Sequence, residues 1–346
     1  MPPTPSSHLR APILVTFLGL AAAAALSQRM TAGGAEAVGF VATALILAGL
    51  EIALSFDNAV VNANRLDNMS ALWRRRFLTW GILIAVFGMR IVFPLAIVCV
   101  AARIAPWAAV DVAVNDPARY AEIITAAHPS IAAFGGVFLM LVALSFFGQQ
   151  SAQGAWLPGV EVLLRRLGRG HITPPLVALA VAAGFATLQP AGRQLEFLLA
   201  AGAGVAAFLA LEALAQVLDR PAVSDSARAG LGGFLYLEMI DASFSFDGVI
   251  GAFALTTNLF LIAIGLGIGA MYVRAFTIIL VEFRTLSRFI YLENGAFLSV
   301  FLLSAGLLLK SAVHLPELAL GTVSVAIILA ALVASLRAQE ARVPGG

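Results

Sequence analysis

Two short stretches place carboxylates where apolar residues would be expected. Glu51-Ile52-Ala53-Leu54-Ser55-Phe56-Asp57-Asn58 and Asp241-Ala242-Ser243-Phe244-Ser245-Phe246-Asp247-Gly248 both read acid, five residues, acid, with Ser-Phe before the second acid. They lie 190 positions apart, each inside a long apolar run. A carboxylate at hydrocarbon depth is expensive, so four of them in matched copies mark a candidate functional site.

The donors on offer are hard oxygens. Glu51, Asp57, Asn58, Asn62, Asp241 and Asp247 are the expected ligands of a metal ion, with Ser55, Ser243, Ser245 and Glu238 as supporting polar groups. The four histidines, His8, His128, His171 and His314, all fall outside the motifs, and the single cysteine, Cys99, sits in an apolar run as a small hydrophobe. Oxygen-only ligation favours Mn, Mg or Ca over Zn and Cu, which prefer imidazole and thiolate. Carboxylates held away from water can also exist as neutral acids, so groups that release a metal can take up protons. Arg90 and Arg274 are the expected charge-balancing residues. A purely structural polar cluster, neutral or paired to those arginines, is the bland alternative. An intramembrane aspartyl protease dyad is disfavoured, because each aspartate brings a second acid that a dyad does not need and the Tyr-Asp and Gly-x-Gly-Asp contexts are missing.

These groups need apolar elements to hold them. The chain is 61% hydrophobic and 12% charged, which excludes a soluble domain with a polar shell. Its apolar runs of roughly 20 residues fit membrane helices, whereas a barrel would show alternating segments of about 10. The expected fold is therefore all-α, a polytopic membrane helical bundle of about ten spans. These run over about 11–26, 37–63, 77–103, 130–152, 175–190, 194–218, 230–257, 259–283, 295–312 and 317–337. The segment 104–129, with Pro106, Pro117 and Pro129, reads as an outer loop, and 219–229 as a polar connector. Trp73-Arg74-Arg75-Arg76 and Arg165-Arg166 with Arg169 are basic loops that the positive-inside rule places in the cytoplasm. That puts both termini inside an inner (plasma) membrane, with Arg284, Arg288, Arg337 and Arg342 on the same side. No basic run is interleaved with aromatics in a soluble segment, so a nucleic-acid partner is not expected. The expected partners are the lipid bilayer, the metal ion and protons.

Four spans lie between the two motif spans, so they cross in opposite directions. Each is followed by a span carrying an arginine and then an aromatic, Arg90 with Phe93 and Arg274 with Phe276. Two inverted three-helix repeats follow, over 37–152 and 230–312. They are flanked by an N-terminal lead and first span (1–36), connecting spans (153–229) and a last span with tail (313–346). In inverted-repeat transporters, ion sites lie near the midplane where the repeats meet.

On a helix, Glu51, Ser55, Asn58 and Asn62 share one stripe, as do Glu238, Asp241 and Ser245. Asp57 lies roughly 120° from Glu51 on an ideal helix. Either the polar face is wide or the helices break beside Asn58 and Gly248. Gly265, Gly267 and Gly269 are expected to permit close helix packing. Glu196, Glu212 and Glu282 read as snorkelling or interhelical acids, and Gln149 and Gln150 as interfacial ends.

The motif pair, together with Phe77-Leu78-Thr79-Trp80-Gly81 leading to Gly88-Met89-Arg90, resembles the TerC family of integral membrane proteins over roughly residues 37 to 310. That resemblance implies manganese export and carries the family's paired acidic spans onto Glu51, Asp57, Asn58, Asp241 and Asp247. It implies a transporter rather than an enzyme, with no permanently bound cofactor and Mn²⁺ as the transported divalent cation. An exporter of an oxyanion or organic cation, the oxyanion held by Arg90 and Arg274, and a non-transporting structural membrane protein are the alternatives.

Overall fold

The computed structural model describes residues 5–30, 34–67, 69–150, 155–218, 230–253, 255–283, 288–313 and 317–340. The expected connector 219–229, and the readings of His314, Arg284 and Arg342, lie outside them. Among the described residues every regular element is helical, as the long apolar runs dictate.

A single turn, α1 (Pro5–His8), precedes α2 (Arg10–Met30), α3 (Gly34–Leu54) and α4 (Phe56–Asp67). Then α5 (Ala71–Leu83) runs into a π-helix (Ile84–Val92) and α6 (Phe93–Ala102). They are followed by α7 (Pro106–Asn115), α8 (Pro117–Gln149), α9 (Pro158–Gly168), α10 (Thr173–Ala186) and α11 (Gln194–Leu218). The last elements are α12 (Leu231–Phe253), α13 (Leu259–Glu282), α14 (Leu292–Lys310) and α15 (Glu317–Glu340).

Eight of these stretches are long and apolar enough to cross a membrane: Ser6–Gln28, Ala37–Leu54, Ile84–Ala102, Pro117–Gln149, Gln194–Val217, Leu259–Glu282, Leu292–Lys310 and Ala319–Gln339. The protein is a multi-pass membrane protein. Its outer side chains agree with lipid contact: Phe17, Val100 and Trp107, on three different helices, are 70%, 79% and 78% exposed. Two expected spans fall short of that standard. Helix α10 is apolar but only 14 residues long. Helix α12 has the length but carries Glu238, Asp241 and Asp247.

The expected outer loop 104–129 is largely helical. Its prolines start helices: Pro106 and Pro117 each stand in a first turn, where a missing N–H costs nothing. The Asp116 carboxylate accepts the Arg119 N–H at 3.1 Å, capping α8, which then runs on through Pro129.

The chain forms two compact units that cut across the expected repeat segments, because each unit takes pieces of both. The first comprises residues 1–56, 75–128 and 244–279. Its core includes Leu47, Val249, Ala252, Ile262 and Leu266, with Ala23, Ala44 and Leu261 beside them. Helices α3 and α13 touch through glycine: a Cβ on Gly265 would stand 2.6 Å from the Leu47 Cβ, and one on Gly269 2.5 Å from the Glu51 Cβ. The expected close packing at these two glycines is present.

The second unit comprises residues 57–74, 129–243 and 280–346. Its centre is the buried run Val137 to Leu144 of α8. Phe138 meets Phe208 edge-on with ring centroids 5.9 Å apart, and Phe146 stacks on Phe297 at 3.6 Å. Glu196 accepts the Ser130 hydroxyl at 2.7 Å, an interhelical pair as expected.

Candidate functional site

The first motif is a helix break. Helix α3 makes its last bond from the Ser55 N–H to the Glu51 carbonyl at 3.0 Å, and the Ser55 hydroxyl donates to Glu51 Oε1 at 3.2 Å. Helix α4 starts at Phe56, so Asp57 occupies its first turn, where the exposed N–H groups and helix dipole favour a carboxylate. Asp57 Oδ1 accepts the Asn58 N–H at 2.8 Å. The break therefore stands at Ser55, two residues ahead of Asp57 and three ahead of the position expected beside Asn58.

The second motif does not break. Helix α12 is continuous through Asp247 and Gly248, and the Ser243 hydroxyl returns to the Met239 carbonyl at 2.9 Å. Gly248 serves close approach instead, because a Cβ there would stand 2.9 Å from Glu51 Oε2.

In the first unit, Glu51 is 3% exposed and forms a buried ion pair with Arg90, which also donates to the Ala85 carbonyl. Arg90 is thus the partner of a motif carboxylate. The π-helix that carries it is a rare form, frequent at functional sites. Arg274 donates to the Phe77 carbonyl at 2.6 Å, with its guanidinium 3.8 Å above the Phe77 ring. Asp247 and Ser245 are buried on α12 in this unit.

In the second unit the two motifs meet. Asn58 Nδ2 donates to Asp241 Oδ1 at 2.7 Å, and the Ser299 hydroxyl of α14 donates to Asp57 Oδ2 at 3.1 Å. Asp57, Asn58 and Asn62 are 0%, 2% and 3% exposed, and Glu238 is buried on α12. Three oxygens, Asn58 Oδ1, Asn62 Oδ1 and Asp241 Oδ2, are buried without a hydrogen-bond partner. Unmatched buried acceptors are costly, and a cation is what such a set can hold. The grouping is two carboxylates with two amides. Among the described residues no three His, Cys, Asp or Glu side chains gather where they could hold a metal ion.

The motifs hold no sign of Ser299, nor of two further polar contacts in the second unit. Glu293 accepts the side-chain amide of Asn64. Glu161 accepts the Trp156 and Leu157 N–H groups at 2.8 and 3.0 Å and the Asn294 amide at 2.8 Å, and Asn294 in turn accepts Gln150 at 2.9 Å. The acid on α9 and its partner on α14, Asn294, stand 133 residues apart, and no local pattern links them.

The family described as "Protein of unknown function (DUF475)" matches residues 56–342. The chain belongs to the DUF475 family. The DUF475 match opens on the first turn of α4, so Asp57, Asn58, Asn62, Arg90, Asp241, Asp247 and Ser299 lie inside it and Glu51 just outside. No curated protein and no solved structure matches the chain.

Proposed function

We propose that this DUF475 protein is a secondary transporter that exports a divalent cation, Mn²⁺ first among candidates, in exchange for protons by alternating access. The observation that carries the reading is the set of buried acceptor oxygens on Asn58, Asn62 and Asp241 beside Asp57. They are hard donors without imidazole or thiolate, the type that suits Mn, Mg or Ca. The choice of Mn²⁺ among these rests on the TerC-like motif pair. Asp57 and Asp241 are the charged ligands in this reading, Asn58 and Asn62 the neutral ones. Glu51 and Asp247 belong to the first unit, where Glu51 is held by Arg90.

The oxyanion alternative draws less support, since Arg90 is engaged by Glu51 and Arg274 by Phe77. The proposed setting is the plasma membrane with both termini inside, supported by the basic loops at Arg74–Arg76 and Arg165–Arg169. The role needs no resident cofactor and no catalysed reaction. Mn²⁺ flux into proteoliposomes, read by an enclosed dye, tests it. Transport by the parent that is lost in Asp57→Asn supports the assignment, and equal transport by both ends it.

A further inference from the structure

The second unit contains a branched polar cleft that none of the motif residues lines. Its widest part, about 300 Å³, is bordered by Arg65, Ser145, Gln149, Glu212, Gln216 and Tyr236, among others. A narrower part of about 100 Å³ shares Arg65, Ser145, Gln149 and Tyr236 and reaches Val61 and Asn64 on α4. A third part of about 210 Å³ shares Ser145, Gln149 and Glu212 and extends to His171 before α10.

The four residues common to the first two parts form a neck. There Gln149 Nε2 donates to Ser145 Oγ at 3.1 Å, and the Arg65 guanidinium lies 5.3 Å over the Tyr236 ring. The narrow part ends at Val61, three residues after Asn58 and four after Asp57. Those spacings put Val61 about one turn along α4 from each of them, with Asp57 and Asn58 on either side of its position around the helix. Arg65, Gln149 and His171 belong to segment ends near the basic loops, the side that the positive-inside rule assigns to the cytoplasm, and Glu212 lies in the last third of α11.

Among the described residues that line these clefts Glu212 is the one carboxylate, and Arg65 is the cation at the neck. A wide mouth with an acid, hydroxyl and amide oxygens at a neck, and an arginine held aside on an aromatic face is a filter for small cations. We infer that this cleft is the cytoplasmic vestibule of the ion path, that Glu212 recruits the hydrated divalent cation, and that Arg65 sets the barrier before Asp57 and Asn58. The inference rests on the cation reading above.

Its test separates the two. In a Cys99→Ser background, Gln149→Cys is exposed to a cationic and an anionic methanethiosulfonate reagent in right-side-out and inside-out vesicles. Labelling from the cytoplasmic face only, with the cationic reagent faster, is expected, and Glu212→Gln removes that preference. In Mn²⁺ flux, Glu212→Gln raises KM by about five- to tenfold with kcat retained, the effect of losing a focusing charge. Labelling from the opposite face, or from neither while detergent-unfolded protein reacts, overturns the vestibule. So does an unchanged reagent preference and KM in Glu212→Gln when the parent exports Mn²⁺. Cytoplasmic, charge-selective labelling by a parent that moves no Mn²⁺ sustains the vestibule and sinks only the manganese assignment.

Discussion

Asn58 and Asp241, 183 residues apart and one from each motif copy, are joined by a 2.7 Å hydrogen bond from amide to carboxylate. That bond spends one oxygen of Asp241 and leaves the other, with the Asn58 carbonyl, buried and unmatched. The pair is thereby oriented: the amide nitrogen is occupied by the acid, so both remaining atoms are acceptors.

Neutralising these acids should abolish function without unfolding the protein. Asp57→Asn and Asp241→Asn are expected to lower Mn²⁺ flux by about tenfold or more, the scale of about 1.4 kcal/mol for one lost charged contact. Mn²⁺ should raise the melting temperature of the parent in detergent, by up to about 2.7 kcal/mol of stabilisation at 100 times Kd, and should not raise that of Asp57→Asn.

The buried Glu51–Arg90 pair makes a different demand. Removing one partner strands the other charge, so Arg90→Ala should cost about 3–5 kcal/mol of stability. Glu51→Gln combined with Arg90→Gln should recover most of that loss, because no uncompensated charge remains. Chemical denaturation of the single and double variants checks it, and additive losses would refute the coupling.

Close approach at Glu51 predicts steric sensitivity at two glycines. Gly248→Ala and Gly269→Ala would set a methyl 2.9 Å from Glu51 Oε2 and 2.5 Å from its Cβ. Overpacking of about 1–3 kcal/mol should follow at Gly269, against a Cβ and backbone, and a smaller loss at Gly248, where the end of the Glu51 side chain can shift. Gly39→Ala, where nothing lies within 4 Å, should be neutral or slightly stabilising in the same thermal melts.

Glu161 is predicted to serve stability alone. Glu161→Ala leaves the Trp156 and Leu157 N–H groups and the Asn294 amide without their acceptor, at about 1–3 kcal/mol for each group that stays buried. The expected result is a lower melting temperature with Mn²⁺ flux per folded molecule unchanged.

The helical class and most spans were legible in the sequence because hydrocarbon-length apolar runs leave a helix no competitor. The break in the first motif was one of two readings that the phase of Glu51 against Asp57 allowed, and its place at Ser55 was not legible. Nor was its counterpart at Gly248, since a glycine that admits a neighbouring carboxylate reads like one that ends a helix. Pro106 and Pro117 misled for a similar reason, as loop breakers and first-turn residues share the same ring. Ser299 and Glu161 were beyond reach, because their partners are set by packing of helices far apart in the chain.

The π-helix at Ile84–Val92 has a further consequence. Each residue of an α-helix turns its side chain by about 100°, and a π-helix takes more residues per turn. Rewinding this segment to α geometry would swing Arg90 around the axis and off Glu51. The ion pair could then be opened by the backbone's own gearing, with neither side chain changing its charge.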